Sequence, residues 1–245
     1  MAQNKEEVIF RLCEYAVGLT DAHSFESWLY ANNDIVESLL NQELFYELLE
    51  TNYSNFAEQI SARRLLSQYI KTEHSSLWGE KQNEAKQKLI SLIEGGFKGV
   101  TLGDGITIHQ AMMLDDRASD EECLKARELD TEKSWQEITD KTIEGFNQLT
   151  FLDNKGYCFY IPAYMKWWVK YCDEFPYSDT PEYVVYSLTS GVESGKCRIK
   201  NLSEQQKPPA LSFIYFAAIN DEYNSEKCIS KLISLDVDLG KIKIE

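Results

Sequence analysis

LTFLDNKGYCFYIP, Leu149 to Pro162, is where an otherwise helical pattern breaks. Two apolar runs flank Asp153-Asn154-Lys155-Gly156, a set of turn-forming residues, and this arrangement predicts a β-hairpin. Pro162 then fits the first position of a helix running through AYMKWWVKYC, Ala163 to Cys172. Working backward, FKGVTLGDGITIHQAMMLDD (97–116) is Gly-rich with β-branched residues and reads as a domain junction with a short strand at 106–108. Its GVTLGDG is no phosphate loop, because no GK[ST] ending follows.

Upstream of that junction the apolar residues recur at helical spacing. Val8, Leu12, Tyr15 and Ala16 share a face that Gly18 stops, and Ser24 and Asp34 are placed to cap the next two helices. Leu44, Phe45, Leu48 and Leu49 mark another helix. Phe56, Ile60, Leu65 and Tyr69 point inward from a further one, and a last helix over 77–94 ends at Gly95-Gly96. Downstream, Ser119 with Glu122 forms a capping-box pattern opening an acidic helix that extends toward Glu132. A closing helical pair is expected over 211–219 and 225–235. The fold class is therefore mainly α: a helical bundle over 1–97, then an α+β domain over 98–245, mostly helical with a small β-hairpin.

The chain carries 40 acidic and 25 basic side chains in 245 residues, a net charge of −15. Residues 1–55 and 101–153 each hold net −8, while 56–100 hold +2 and 154–245 hold −1. Such a balance argues against nucleic acid or an anionic membrane as partner, since phosphate repels it. It suits a basic protein, whose approach a focused negative field would steer. No apolar stretch approaches the length of a membrane span, and the start, MAQNKEEVIFRLCEYAVGLTD, lacks a basic region and a cleavage site. A cytoplasmic protein is expected.

Six cysteines, with no CxxC pair, and three scattered histidines predict reduced thiols and no metal site. No G-x-S-x-G or HExxH motif is present, and no cofactor is implied. One polar cluster stands out: His109 with Asp115, Asp116, Asp120, Glu121 and Glu122. It lacks the alternating ligand spacing of a calcium loop, and acids at a helix start are favoured by the macrodipole in any case.

Two resemblances bear on function. D-D-x-x-S-D-E-E at Asp115–Glu122, Ala126-Arg127-Glu128, Trp135, FYIPAYM at Phe159–Met165 and LSEQQ at Leu202–Gln206 together resemble an uncharacterised bacterial domain family over about 102–236. Pro208 and Pro209 depart from its Gln-rich helix start. WLYANNDIVESLLNQELFYELLETNYS, Trp28 to Ser54, is similar to small helical modules of bacterial toxin-immunity proteins, which neutralise toxins of contact-dependent inhibition and related polymorphic systems. That likeness implies a cognate toxin domain as partner, bound so that its active site is occluded.

The residues expected to make that contact are Asp115, Asp116, Asp120, Glu121 and Glu122, with Trp135 and Trp167 as aromatic anchors. A second acidic patch is Glu43, Glu47 and Glu50, at i, i+4 and i+7 on one helix face. Two alternatives remain: an enzyme of unknown reaction using His109, Asp115 and Asp116, and a helical protein-interaction scaffold.

Overall fold

Asparagine and aspartate side chains cap five helices among the described residues, and threonine or serine caps three more. The computed structural model describes residues 4–174, 179–190, 198–221, 229–230, 233 and 244, and every regular element among them is helical. The chain divides into two compact units, Met1–Leu89 with Ile214–Glu245, and Ile90–Phe213.

The first unit opens with α1 (Lys5–Ala16), capped by Asn4. It ends where Gly18 takes φ +88°, a left-handed conformation natural to glycine. Helix α2 (Ala22–Ala31) is capped by Asp21, to which the Ser24 amide donates at 2.9 Å, so Ser24 sits inside the helix rather than before it. Asp34 likewise lies within the short α3 (Asn33–Glu37). Asn41 caps α4 (Gln42–Glu50) and Asn55 caps α5 (Phe56–Glu73). Helix α6 (Ser75–Gly96) starts in this unit and α12 (Lys207–Asn220) ends in it.

Helices α1 and α5 pack together around Val8, Leu12, Leu66 and Ile70, all fully buried. Leu66 faces the core where Leu65 was expected; Leu65 is 40% exposed. Tyr15 stacks on Phe25 at 3.7 Å with Tyr53 at its edge. Arg63, with no exposed surface, donates to the carbonyls of Tyr15 and Thr20 and lies 3.7 Å over the Tyr15 ring. Its charge thus caps the carbonyl end of α1, where the macrodipole favours a cation.

The second unit holds α7 (Ile108–Asp115), α8 (Asp120–Arg127), α9 (Asp140–Gly145), α10 (Asn154–Tyr171), α11 (Thr180–Thr189) and three short 3₁₀ turns. The expected hairpin is absent. Leu149–Phe151 forms a 3₁₀ turn, and Asp153 is the N-cap of α10 rather than a turn residue. Its Oδ1 accepts from the Gly156 amide at 2.8 Å and from the Ile106 amide at 3.0 Å. Twelve of the 18 residues of α10 are buried, so the helix is apolar on nearly all sides. A short apolar run of that kind looks the same in sequence whether strand or buried helix. Pro162 sits in the interior of α10, not at its start.

The strand expected at 106–108 is also absent: Thr107 caps α7 in a reciprocal pair with Gln110. The mixed α+β class is thereby corrected to all-α among the described residues. The acidic helix opens with the Ser119–Glu122 capping box as expected but stops at Arg127. Pro208 and Pro209 fall in the first turn of α12, where a missing N–H costs no helical bond. The second helix of the closing pair, 225–235, lies almost wholly outside the described residues. No helix among the described residues is long and apolar enough to cross a membrane.

Candidate functional site

Helices α7 and α8 pack against each other, and the connection between them is tightly built. The Ala118 amide donates to the Met113 carbonyl at 2.9 Å and the Arg117 amide to the Leu114 carbonyl at 3.2 Å. To close this turn Arg117 takes φ +57°, the one non-glycine residue with positive φ among those described. From the end of α8, Arg127 donates to the carbonyls of Gly103 (2.7 Å) and Gly105 (2.5 Å) and to Gln110 (2.9 Å), which fixes the loop before α7.

All five expected acids of this segment are exposed, but they differ in what they do. Glu122 accepts from the Ser119 hydroxyl at 2.7 Å and its amide at 2.9 Å, and the hydroxyl bond, then the amide bond, hold its carboxyl below the usual range. Glu121 pairs with Lys125 at 2.6 Å. Asp115, Asp116 and Asp120 make no ion pair or side-chain hydrogen bond with a described residue. Asp120 opens α8, where the macrodipole favours an acid, but Asp115 ends α7 and Asp116 is its C-cap, where the macrodipole opposes one.

The aromatic anchors lie elsewhere. Trp135 and Trp167 are each 1% exposed. The Trp135 indole donates to the Phe97 carbonyl at 3.1 Å and that of Trp167 to Glu144 at 3.3 Å. Both are core residues of the second unit, which corrects their assignment as contact residues. In their place Leu124 and Leu129 stand 64% and 65% exposed, with Leu114 at 39%. Leu124 follows Asp120 and Glu121 at i+4 and i+3, so acids flank it on the helix surface.

His109 is not brought to Asp115 or Asp116. It lies in the first turn of α7 and they at its end, about 9 Å away along the axis. Its partner is Asp130, whose two oxygens take the ring Nδ1 at 2.7 Å and the His109 amide at 3.2 Å. The ring also meets the edge of Phe146, centroids 4.5 Å apart. No group of three or more metal-ligating side chains occurs among the described residues.

In the first unit, Glu43 and Glu47 line a groove of 440 Å³ between α4 and α5, floored by Leu44 and Leu65. Glu50 is exposed at the end of α4, outside it. A second groove of 580 Å³ lies between α1 and α5, with Ile9, Phe10, Leu39 and Leu77 as its apolar lining. Tyr69 and Glu73 line both grooves. The Tyr69 hydroxyl donates to the Leu39 carbonyl at 2.9 Å and so stands as a fixed ridge between them. The Glu43/Glu47 spacing was visible in sequence and Tyr69 was expected as an inward-facing helix residue, but Leu39 and Glu73 were not singled out, since only the fold brings 39 beside 69.

Comparison with curated proteins and with solved structures finds no match. One family model matches residues 85–235, more than half of the chain, spanning the later part of α6 and all of α7 to α12. The chain belongs to that family, described as a family of unknown function (DUF6714).

Proposed function

We propose that this protein binds a basic protein partner and neutralises it, the partner being a cognate bacterial toxin domain whose active site it occludes in the cytoplasm. The observation that carries this reading is the placement of Asp115 and Asp116. Both are exposed, sit at the end of α7 where the helix dipole opposes them, and pair with no cation among the described residues. Local stability does not account for two acids held there; a cationic partner outside the chain does. The neighbouring exposed leucines supply the apolar contact that charge alone lacks.

The test is co-expression. The C-terminal region of the product of the gene immediately upstream is induced with and without this protein. Abolished toxicity together with copurification supports the reading, and toxicity left untouched, or none at all, sinks it for that partner. In the complex, Asp115→Lys with Asp116→Lys slows association most at low salt. An unchanged association rate removes α7–α8 from the interface.

A second reading, catalysis at His109, draws on the Asp130 hydrogen bond, which holds Nδ1 and leaves Nε2 to act as acid or base. Under it, His109→Ala abolishes the protective activity while leaving copurification intact. Under the binding reading the same variant protects as well as the wild type.

A further inference from the structure

We propose that the two grooves flanking Tyr69 in the first unit form one docking track for an amphipathic, basic helical segment of a partner protein. This goes beyond the α7–α8 reading: it concerns a different surface and does not require the partner to be a toxin. The grooves share Tyr69 and Glu73, so they adjoin, and together they follow α5 from Leu65 to Glu73. From Leu65 to Glu73 the helix rises about 12 Å, a little over two turns. The volumes, 580 and 440 Å³, are those of clefts that take several aliphatic or aromatic side chains. A cleft lined mainly by apolar side chains and a more polar one with Leu44 and Leu65 at its floor, sharing Tyr69, suit side chains projecting a turn apart from one helix, the helix-in-groove mode of recognition.

Charge fixes the occupant's chemistry. Glu6 and Glu73 line the first groove and Glu43 and Glu47 the second, all four exposed and none in an ion pair with a described residue. Lys5 is the one opposing basic side chain among the lining residues, beside His74. An apolar floor between carboxylates selects a segment with an apolar stripe flanked by Lys or Arg, and rejects an acidic one.

The probe is a fluorescent amphipathic peptide of about five turns, with leucines on one face and lysines beside them. One control replaces the lysines by glutamates; another scrambles the order so that the apolar stripe is lost. Binding to the full-length protein is followed by anisotropy. Only the lysine peptide is expected to bind, and Glu43→Lys with Glu47→Lys weakens it about tenfold or more, a loss of roughly 1.4 kcal/mol per decade. Leu65→Glu, at an exposed position of the floor, does the same without disturbing the core. Asp115→Lys with Asp116→Lys leaves it unchanged, which separates this surface from the α7–α8 one.

Failure to bind, equal binding of the scrambled or acidic peptide, or indifference to the groove substitutions each overturns the proposal. So does self-association of the wild type that Leu65→Glu abolishes, since the occupant is then a second copy. Toxin rescue can fail while the peptide binds, and the reverse, so the two readings fall separately.

Discussion

At Arg63 a full positive charge is kept out of water by backbone carbonyls and aromatic faces. Its guanidinium serves the carbonyls of Tyr15 and Thr20 and lies over Tyr15 and, at 5.5 Å, Tyr215. Arg63→Ala removes a fully buried side chain from the core, takes one of two donors from the Tyr15 carbonyl, which keeps the Gly18 amide at 3.0 Å, and takes the guanidinium donor from the part-buried Thr20 carbonyl. The expected loss is about 3–5 kcal/mol, seen as a lower denaturant midpoint. Asp115 and Asp116 make the opposite case. Asp115→Asn with Asp116→Asn relieves an unfavourable dipole interaction, so the melting temperature rises by roughly one to three degrees while partner affinity falls. A melting temperature that drops instead means these carboxylates serve the fold, and the argument for a partner there is lost.

At the scale of the element, α10 turns on its first residues. Gly156 has the Ile106 carbonyl and Asp153 Oδ1 (3.1 Å) where a Cβ would stand. Gly156→Ala is therefore expected to destabilise by about 1–3 kcal/mol although alanine is the better helix former. A midpoint that rises shows that the backbone at Ile106 gives way.

The same residues show what was legible in the sequence. Ser119 with Glu122, a local pair, announced α8 correctly, because both halves of a capping box lie within one turn. Asp153 misled because its second donor, the Ile106 amide, is 47 residues away. Without that contact Asp-Asn-Lys-Gly reads as a hairpin turn. Trp135 and Trp167 were misassigned for a related reason. Their indoles are satisfied by Phe97 and Glu144, 38 and 23 residues distant, so nothing local shows that they are inside. For the site, Glu43 and Glu47 were visible as a spacing, whereas the groove beside them exists only once α4 and α5 have met.

Across the whole molecule, pH acts on both units through groups buried in their neutral form. Burial pushes the phenols of Tyr15, Tyr53 and Tyr215 in the first unit, and of Tyr160 and Tyr164 in the second, well above the usual tyrosine range. Arg63 opposes this at the first three, but burial dominates. The Cys13 thiol is likewise pushed up to about 12 by burial, with Lys81 opposing. Each group keeps its proton in the folded state at a pH where the unfolded chain has released it. Their contribution is fully present below the unfolded values, near 8.5 for the thiol and 10 for the phenols, and is lost as pH rises toward the folded ones. Each titrating group adds up to about 1.4 kcal/mol per pH unit to the slope, so several acting together make the alkaline limb steep. The acid limb is shallower. At Glu84 the Lys81 hydrogen bond, and at Asp140 bonds from Lys170 and Tyr171 that outweigh burial, lower the carboxyls, and their stabilisation disappears as pH falls through those values. The check is a denaturant midpoint measured against pH alongside tyrosinate absorbance. Stability should fall steeply above about pH 10, with the absorbance of the buried tyrosines appearing together with unfolding. Tyrosinate absorbance rising smoothly in a protein that stays folded would mean these rings reach solvent, and the packing around Arg63 and along α10 would have to be different.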